Sequence, residues 1–255
     1  DEWTIGDGAR VRGVHLYGGG ENPGFWLERL GVVATSVCSD VTSITLEEAV
    51  DVSLWPSWSF VNGAMGFGNP LESMTAENPI VQMYNWCFEE EIRHMGQALG
   101  FEIDRILRHT PRYATLQREV NIPAGVIPAN TVVAQAYGWT GMEKDQGRVT
   151  IQNTWFISRE LPAKEWPIQD HWTISVVGRP CVKITADTPV SLDDPTLMRY
   201  PESNTGTIDY VTAMPLMNAI PDVLAMPPGI IYPHMWGANH QRRSATVRRL
   251  RTTPR

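Results

Sequence analysis

The sequence predicts an α+β domain with a mostly antiparallel, open sheet of about four to six strands and helices on one face. Two observations predict this class. Five strand-like segments follow one another between Pro and Gly turns with no helix between them, which indicates antiparallel neighbours. Helical patterns lie on either side of this stretch. The strand–helix alternation that builds a parallel, nucleotide-binding sheet is not found in these 255 residues.

The first third of the chain predicts four elements. Residues 11–17 resemble a short strand that runs into three glycines. Asn22 and Pro23 then predict a helix start, with Asn22 as the cap and Pro23 at the first helical position. Residues 41–52 alternate and are rich in Val, Ile and Thr, which is typical of a strand. Residues 53–80 lack periodicity and predict a long ordered loop.

The rest of the chain predicts one long helix, the strands and a second helix. Apolar residues at spacings of three and four predict an amphipathic helix over 82–99, ended by Gly100. We expect its acid run, Glu89 to Glu91, on a solvated, ion-paired face; the alternative is a catalytic cluster. A later helix over 208–219 contains Pro215. The strand-like segments are 112–122, 131–140, 148–158, 171–177 and 181–186.

Charge is distributed unevenly along the chain. The total formal charge is −7. The last 14 residues hold six arginines and no acid, so residues 1–241 carry −13 and the tail +6. A body this acidic repels polyanions, which makes nucleic acid a poor partner. The tail is expected to be solvated and disordered, and nucleic-acid binding through its arginines is the minor alternative.

Several classes of protein are excluded or disfavoured by what the sequence does not contain. No run approaches the roughly 18 apolar residues that a membrane span needs, so no membrane partner is predicted. The polar N-terminus is not a signal peptide. Three widely spaced cysteines give neither a disulfide framework nor a zinc pattern, which predicts a reduced, cytoplasmic protein. The six histidines predict no metal site, and no G-x-S-x-G elbow is present.

Two segments are candidates for binding a ligand. The segment 18–25 puts bare backbone at a strand end before a predicted helix start, which suits an anion or a carboxamide; a tight turn without a ligand is equally compatible. It does not fit the G-x-G-x-x-G dinucleotide motif. The loop 54–70 carries apolar side chains that either wall a substrate pocket or simply pack the loop onto the domain. These side chains are Trp55, Trp58, Phe60, Met65 and Phe67.

Four motifs in one order resemble a known family. They are GGENPGF at 19–25, MGFG at 65–68, NAIP at 218–221 and AMPPG at 225–229. Together they look like the C-terminal domain of dihydrodipicolinate-reductase-like proteins, the group that includes 2,4-diaminopentanoate dehydrogenase and the native amine dehydrogenases. The resemblance extends from about residue 13 to 229. The H-H-x-x-K signature of true dihydrodipicolinate reductases is absent.

The resemblance implies a two-domain oxidoreductase that uses NAD or NADP. A Rossmann domain, which is not in this chain, would bind most of the cofactor, and the present domain would supply the substrate pocket and a homodimer sheet. The reaction would be reductive amination of a carbonyl compound, or amine oxidation, by hydride transfer. The Asn-Pro-Gly turn would face the nicotinamide, so the implied cofactor-binding residues are Gly20, Asn22, Pro23, Gly24 and Phe25.

The resemblance leaves the catalytic residues unassigned, because the family's catalytic carboxylate comes from the Rossmann half. It implies three regions. Residues 1–20 are the end of a preceding domain or a linker strand, 21–236 are the substrate-binding and dimerisation domain, and 237–255 are the basic tail. The chain begins with Asp1 and not Met, as a C-terminal fragment would. The alternative is a cofactor-free small-molecule-binding or dimerisation module derived from such an enzyme.

Overall fold

The computed structural model describes residues 2–162, 164–167, 171–188 and 207–232. The basic tail, 237–255, lies outside the described residues. The helices are α1 Glu2–Arg12, α2 Val32–Ala34, α3 Pro79–Leu99 and α4 Thr207–Ala225, with π-helices Trp26–Gly31 and Ser59–Ala64 and 3-10 turns Thr35–Val37 and Leu71–Ser73. The strands are β1 His15–Leu16, β2 Val41–Asp51, β3 Arg105–Arg108, β4 Arg112–Thr115, β5 Val120–Ile122, β6 Gly125–Ile127, β7 Val132–Glu143, β8 Gln146–Phe156, β9 His171–Gly178, β10 Val182–Ala186 and β11 Gly229–Ile230.

A mixed sheet of seven strands organises the core, with the order β10-β9-β2-β8-β7-β3 and β4 also paired to β7. Five of its strand pairs are antiparallel, but β2 and β8 run parallel along their whole shared length. The sheet thus has seven strands, so the predicted count of four to six is wrong. Its one parallel pair makes it a mixed sheet and not a purely antiparallel one. The parallel pair arises because β2 inserts between β8 and β9, which are close in sequence, and this insertion is a tertiary contact.

The helical segments pack on one face of this sheet. Trp26 of the first π-helix stacks on Trp172 of β9 with ring centroids 4.6 Å apart. Phe88 of α3 stacks on Trp139 of β7 at 4.7 Å. The opposite face carries polar, half-exposed or exposed side chains such as Thr45, Glu47, Thr150 and Gln152. The buried face therefore holds both the apolar core and, at its centre, a polar site.

The long helix α3 has the signals that its sequence predicts. Asn78 caps it, since its side chain accepts a hydrogen bond from the Ile80 amide at 2.8 Å, and Pro79 occupies the first turn. Gly100 ends it in the left-handed conformation, with φ +80°. The prediction of a solvated acid run is wrong for one of its residues, because Glu91 is only 2% exposed.

The N-terminal segment differs from its prediction. Residues 2–12 form α1, so the expected strand is reduced to His15 and Leu16. These two residues pair in parallel with β11, more than 200 positions later, and α1 packs against both strands. A pairing between residues so far apart in the chain cannot be recognised from the sequence around either strand. Within the described residues, no helix combines the length and the hydropathy that a membrane crossing requires.

Candidate ligand-binding site

A row of side chains with polar groups crosses the centre of the covered sheet face. The strand registers place Trp172, Glu48, Asn153 and Tyr137 side by side on β9, β2, β8 and β7. All four residues are buried. Adjacent residues on neighbouring strands point to the same face, so the row is continuous.

Glu48 is the centre of this row, and its carboxylate accepts three hydrogen bonds. Trp155 Nε1 donates to Oε1 at 2.6 Å, while Trp172 Nε1 and Asn22 Nδ2 donate to Oε2 at 3.0 and 2.7 Å. Burial raises the pKa of Glu48, and these three donors counteract part of that rise. The carboxylate thereby joins two strands to the turn that contains Asn22.

That turn replaces the helix start predicted at Asn22. The chain turns over 21–25 and the helical backbone begins only at Trp26, so Asn22 caps no helix and points instead to Glu48. Gly24 has φ +135°, and a Cβ there would lie 2.4 Å from the Gly20 nitrogen and 2.7 Å from its oxygen. The turn therefore closes backbone against backbone, which only glycine permits at this position.

A cavity of about 830 Å³ opens beside the turn, between the first π-helix, α3 and β11. Pro23 and Gly24 form one part of its wall. Glu28 of the π-helix and Glu91 of α3 supply carboxylates. Its other side chains include Tyr17, Val32, Cys87, Glu90, Arg93, His94, Gln97, Ala98, Ile230, Ile231 and Tyr232.

Glu91 is the most unusual group in this wall. It is only 2% exposed, and neither of its carboxylate oxygens accepts a hydrogen bond from the described residues. Burial raises its pKa, and repulsion from Glu28, Glu48 and Glu21 raises it further. Buried polar groups are almost always hydrogen-bonded in folded proteins. An unpaired buried carboxylate beside a cavity is therefore a candidate for binding a cation or a hydrogen-bond donor.

Glu28 is half-buried and lies at the middle of the π-helix Trp26–Gly31. π-helical turns are rare and often occur at functional sites. Burial raises the pKa of Glu28 to about 7; Arg29 lowers it and Glu90 raises it. A carboxylate that titrates near neutral pH can both accept and release a proton under physiological conditions.

The raised pKa of Glu28 predicts a pH-dependent stability. Between the ordinary glutamate value of 4.5 and about 7, the folded protein binds a proton that the unfolded chain has released. The free energy of unfolding of the native chain should therefore fall as the pH rises through this window. Glu28→Gln removes the proton-binding group. The free energy of unfolding of the variant, minus that of the native chain, should therefore increase from pH 4.5 to 7 and stay constant above pH 7. Urea unfolding at pH 5, 6, 7 and 8 measures it, and parallel curves would contradict it.

The predicted cofactor turn is only partly directed towards the cavity. Pro23 and Gly24 line it, whereas Gly20 is buried under Thr212 and the Pro23 carbonyl, and Phe25 packs edge-on against Trp26. Asn22 contacts Glu48, and its Oδ1 is buried without a hydrogen-bond partner among the described residues. The role of these five residues in binding the cofactor stays a prediction.

The aromatic loop does not contribute to the lining of this cavity. Met65 and Phe67 are core residues, 5% and 0% exposed. Trp55 packs against Phe60 at 4.6 Å, while Trp58 is 40% exposed and covers Gly125. The prediction that these five side chains line a substrate pocket stays a prediction, and two of them serve the core in this structure.

Sequence reasoning missed the carboxylates that distinguish the site, although a signal was present. Glu48 has the same period-two phase as Leu46, which places it on the buried face of β2. Glu91 follows Phe88 by three residues and precedes Met95 by four, so it lies on the apolar stripe of α3. The sequence signal for the site was therefore an acidic residue at a position where the apolar pattern places a buried side chain.

The described residues contain no group of three or more His, Cys, Asp or Glu arranged to hold a metal ion. The site contains carboxylates that repel one another. Trp and Asn donors hold Glu48 in place, and Trp26 Nε1 donates to Glu21 at 2.7 Å. The site's unpaired acceptors suit a ligand that carries N–H groups or positive charge.

Comparison with known proteins places this fold beside amine dehydrogenases. No protein-family model matches the chain. An amine dehydrogenase from Streptomyces virginiae is 24% identical over 184 residues, 69% of this chain and 49% of that protein. The structure of an amine dehydrogenase from Mycobacterium smegmatis matches with a TM-score of 0.65 at 14% identity, over 90% of this chain and 61% of that one. The chain thus spans about half the length of its curated relative. It is similar in sequence to one amine dehydrogenase and shares the fold of another.

Proposed function

We propose that this chain is the substrate-binding part of an NAD(P)H-dependent oxidoreductase that interconverts an amine and a carbonyl compound. The observation that carries the proposal is the buried Glu91 carboxylate, which accepts no hydrogen bond from the described residues and lies in the wall of a cavity that Pro23 and Gly24 also line. A carboxylate binds the ammonium form of an amine by charge-assisted hydrogen bonds. The sequence similarity to an amine dehydrogenase supports the same reaction class.

The cofactor in this proposal is NAD or NADP, held mainly by a Rossmann domain outside this chain. The turn residues Gly20, Asn22, Pro23, Gly24 and Phe25 would face its nicotinamide ring. Oδ1 of Asn22, to which no described residue donates a hydrogen bond, fits this role, since a nicotinamide carboxamide has N–H donors for such an acceptor. When bound, the cofactor supplies or accepts the hydride. Glu28, with its pKa of about 7, is suited to take the proton that an ammonium group loses.

We also propose that residues 1–20 form the end of a preceding domain, with 21–236 as the substrate-binding and dimerisation domain. The two-stranded parallel sheet of β1 and β11 supports a preceding domain that extends it, because parallel strands usually belong to larger sheets covered on both faces. The polar outer face of the seven-stranded sheet is our candidate homodimer surface. Light scattering should then give twice the chain mass of 28.6 kDa, and a monomer would contradict the dimer.

The experiment that tests the function is amine-dependent reduction of NAD⁺ and NADP⁺. We expect no turnover by the 255-residue chain, and turnover by a native gene product that includes a strand–glycine-loop–helix domain upstream. Nicotinamide fluorescence with a panel of primary amines measures both. Turnover by the isolated chain would contradict the proposed division between domains. A longer gene product that is inactive with every amine would contradict the oxidoreductase assignment.

A cofactor-free small-molecule-binding or dimerisation module is the second candidate. It is favoured by one observation: the buried Glu91 carboxylate in the cavity wall is an acceptor for N–H groups that needs no cofactor. It predicts translation from a start close to Asp1 and amines or ketones that raise the melting temperature without nicotinamide. A cytoplasmic location is proposed for either function, because the three cysteines are widely spaced in the sequence and predict no disulfide framework.

A further inference from the structure

Two carboxylates lie on different walls of the cavity. Glu91 belongs to α3 and Glu28 to the π-helix Trp26–Gly31, and these two helices pack against each other. Glu91 is buried and accepts no hydrogen bond within the described part of the chain, whereas Glu28 is half-buried. Repulsion between the two contributes to the raised pKa of Glu91. The cavity thus contains two acceptors of positive charge at different depths.

The other ionisable groups of the wall do not neutralise this pair. Burial lowers the pKa of His94, so this imidazole is neutral at pH 7 and above. Arg93 is the one guanidinium among the described wall residues, and the exposed Glu90 adds a third carboxylate that offsets its charge. Arg29, outside the wall, lowers the pKa of Glu28 but does not return it to its ordinary value. Tyr17, Tyr232 and Cys87 carry no positive charge in any protonation state. The balance of charge in the wall is therefore negative.

Aliphatic groups form much of the remaining wall, namely Val32, Ala98, Ile230 and Ile231. A wall that combines two carboxylates with aliphatic side chains matches a ligand with two cationic groups joined by a hydrocarbon chain. A ligand with one positive charge compensates one carboxylate and leaves the second either protonated or unpaired. A ligand with two charges compensates both.

We propose that the cavity binds a linear aliphatic diamine in its doubly protonated form, with one ammonium group at Glu91 and the other at Glu28. The inference rests on the proposed function only in taking an amine as the ligand. It specifies the substrate class further, since it assigns each of two charges to a carboxylate of this chain.

The test compares two ligands with the same number of heavy atoms, 1,4-diaminobutane and n-pentylamine. Isothermal titration calorimetry of the whole chain at pH 8 and low salt measures both, because Glu28 is ionised there. We expect the diamine to bind at least about tenfold more tightly. Glu91→Gln should remove most of that preference, and so should Glu28→Gln. The matched control is Glu72→Gln, which alters an exposed acid outside the cavity wall and should leave the preference unchanged.

The possible failures separate this inference from the proposed function. Equal affinity for the two ligands would overturn the diamine inference and leave amine binding intact. If Glu91→Gln and Glu28→Gln both kept the preference for the diamine, the binding site would lie elsewhere and the inference would also be overturned. If neither amine bound, the inference would be overturned and the cavity would no longer be the amine site of the proposed function. The turnover experiment tests that function independently. Far-UV circular dichroism checks that each variant is folded.

Discussion

Glu48→Ala should lower the free energy of unfolding by about 3 kcal/mol or more, because a buried donor left unsatisfied costs about 1–3 kcal/mol. The substitution removes the acceptor of three N–H groups, on Trp155, Trp172 and Asn22. Relief of the buried charge offsets part of this loss, since burial already raises the pKa of Glu48. Urea unfolding followed by tryptophan fluorescence measures the change and also reports the altered environment of the two indoles.

The control for this prediction lies next to it on the same strand. Glu47 is exposed on the outer face of the sheet, so Glu47→Ala should change stability by less than about 0.5 kcal/mol. Glu48→Gln keeps one acceptor oxygen and should fall between the two. Equal effects of Glu47→Ala and Glu48→Ala would mean that the three donors find other partners, and the proposed centre of the site would then be wrong.

Gly24→Ala should destabilise the chain by about 3 kcal/mol and should also abolish amine binding in the cavity. Its φ of +135° is a conformation that residues with a side chain rarely adopt, at a cost of about 1–3 kcal/mol. The added Cβ would also lie 2.4 Å from the Gly20 nitrogen, and backbone cannot move aside as a flexible side chain can. The turn must then open, which displaces Pro23 from the cavity wall.

Gly18→Ala is the matched control, because it lies in the same glycine-rich segment. A Cβ at Gly18 meets nothing within 4 Å, and its φ is not in the positive range. This variant should keep the native stability, which thermal denaturation measures. Because Gly18 also lines the cavity, this comparison concerns stability alone. If Gly24→Ala behaved like Gly18→Ala, the close packing of the turn against Gly20 would be refuted.

The long helix and the central strands could be read from local patterns. α3 has its cap, its apolar period and its terminal glycine within 23 consecutive residues, Asn78 to Gly100, so neighbours in sequence determine it. The alternation of β2 and the turn between β7 and β8 are equally local. The same patterns indicated the site, since Glu48 and Glu91 stand at positions whose side chains face the core. The sequence does not reveal, however, which groups contact an acid at such a position.

By itself, then, the sequence determined the long helix, the central strands and the α+β class, and its Asn-Pro-Gly turn and accompanying motifs predicted a resemblance to amine dehydrogenases. Only the tertiary structure decided the parallel pairing of β2 with β8, the pairing of β1 with β11, and the meeting of Glu28 with Glu91 around one cavity. The physical reason is the range of the interactions. Caps, turns and periodicity act over a few residues, whereas burial of a carboxylate and its pKa depend on groups brought together from distant parts of the chain.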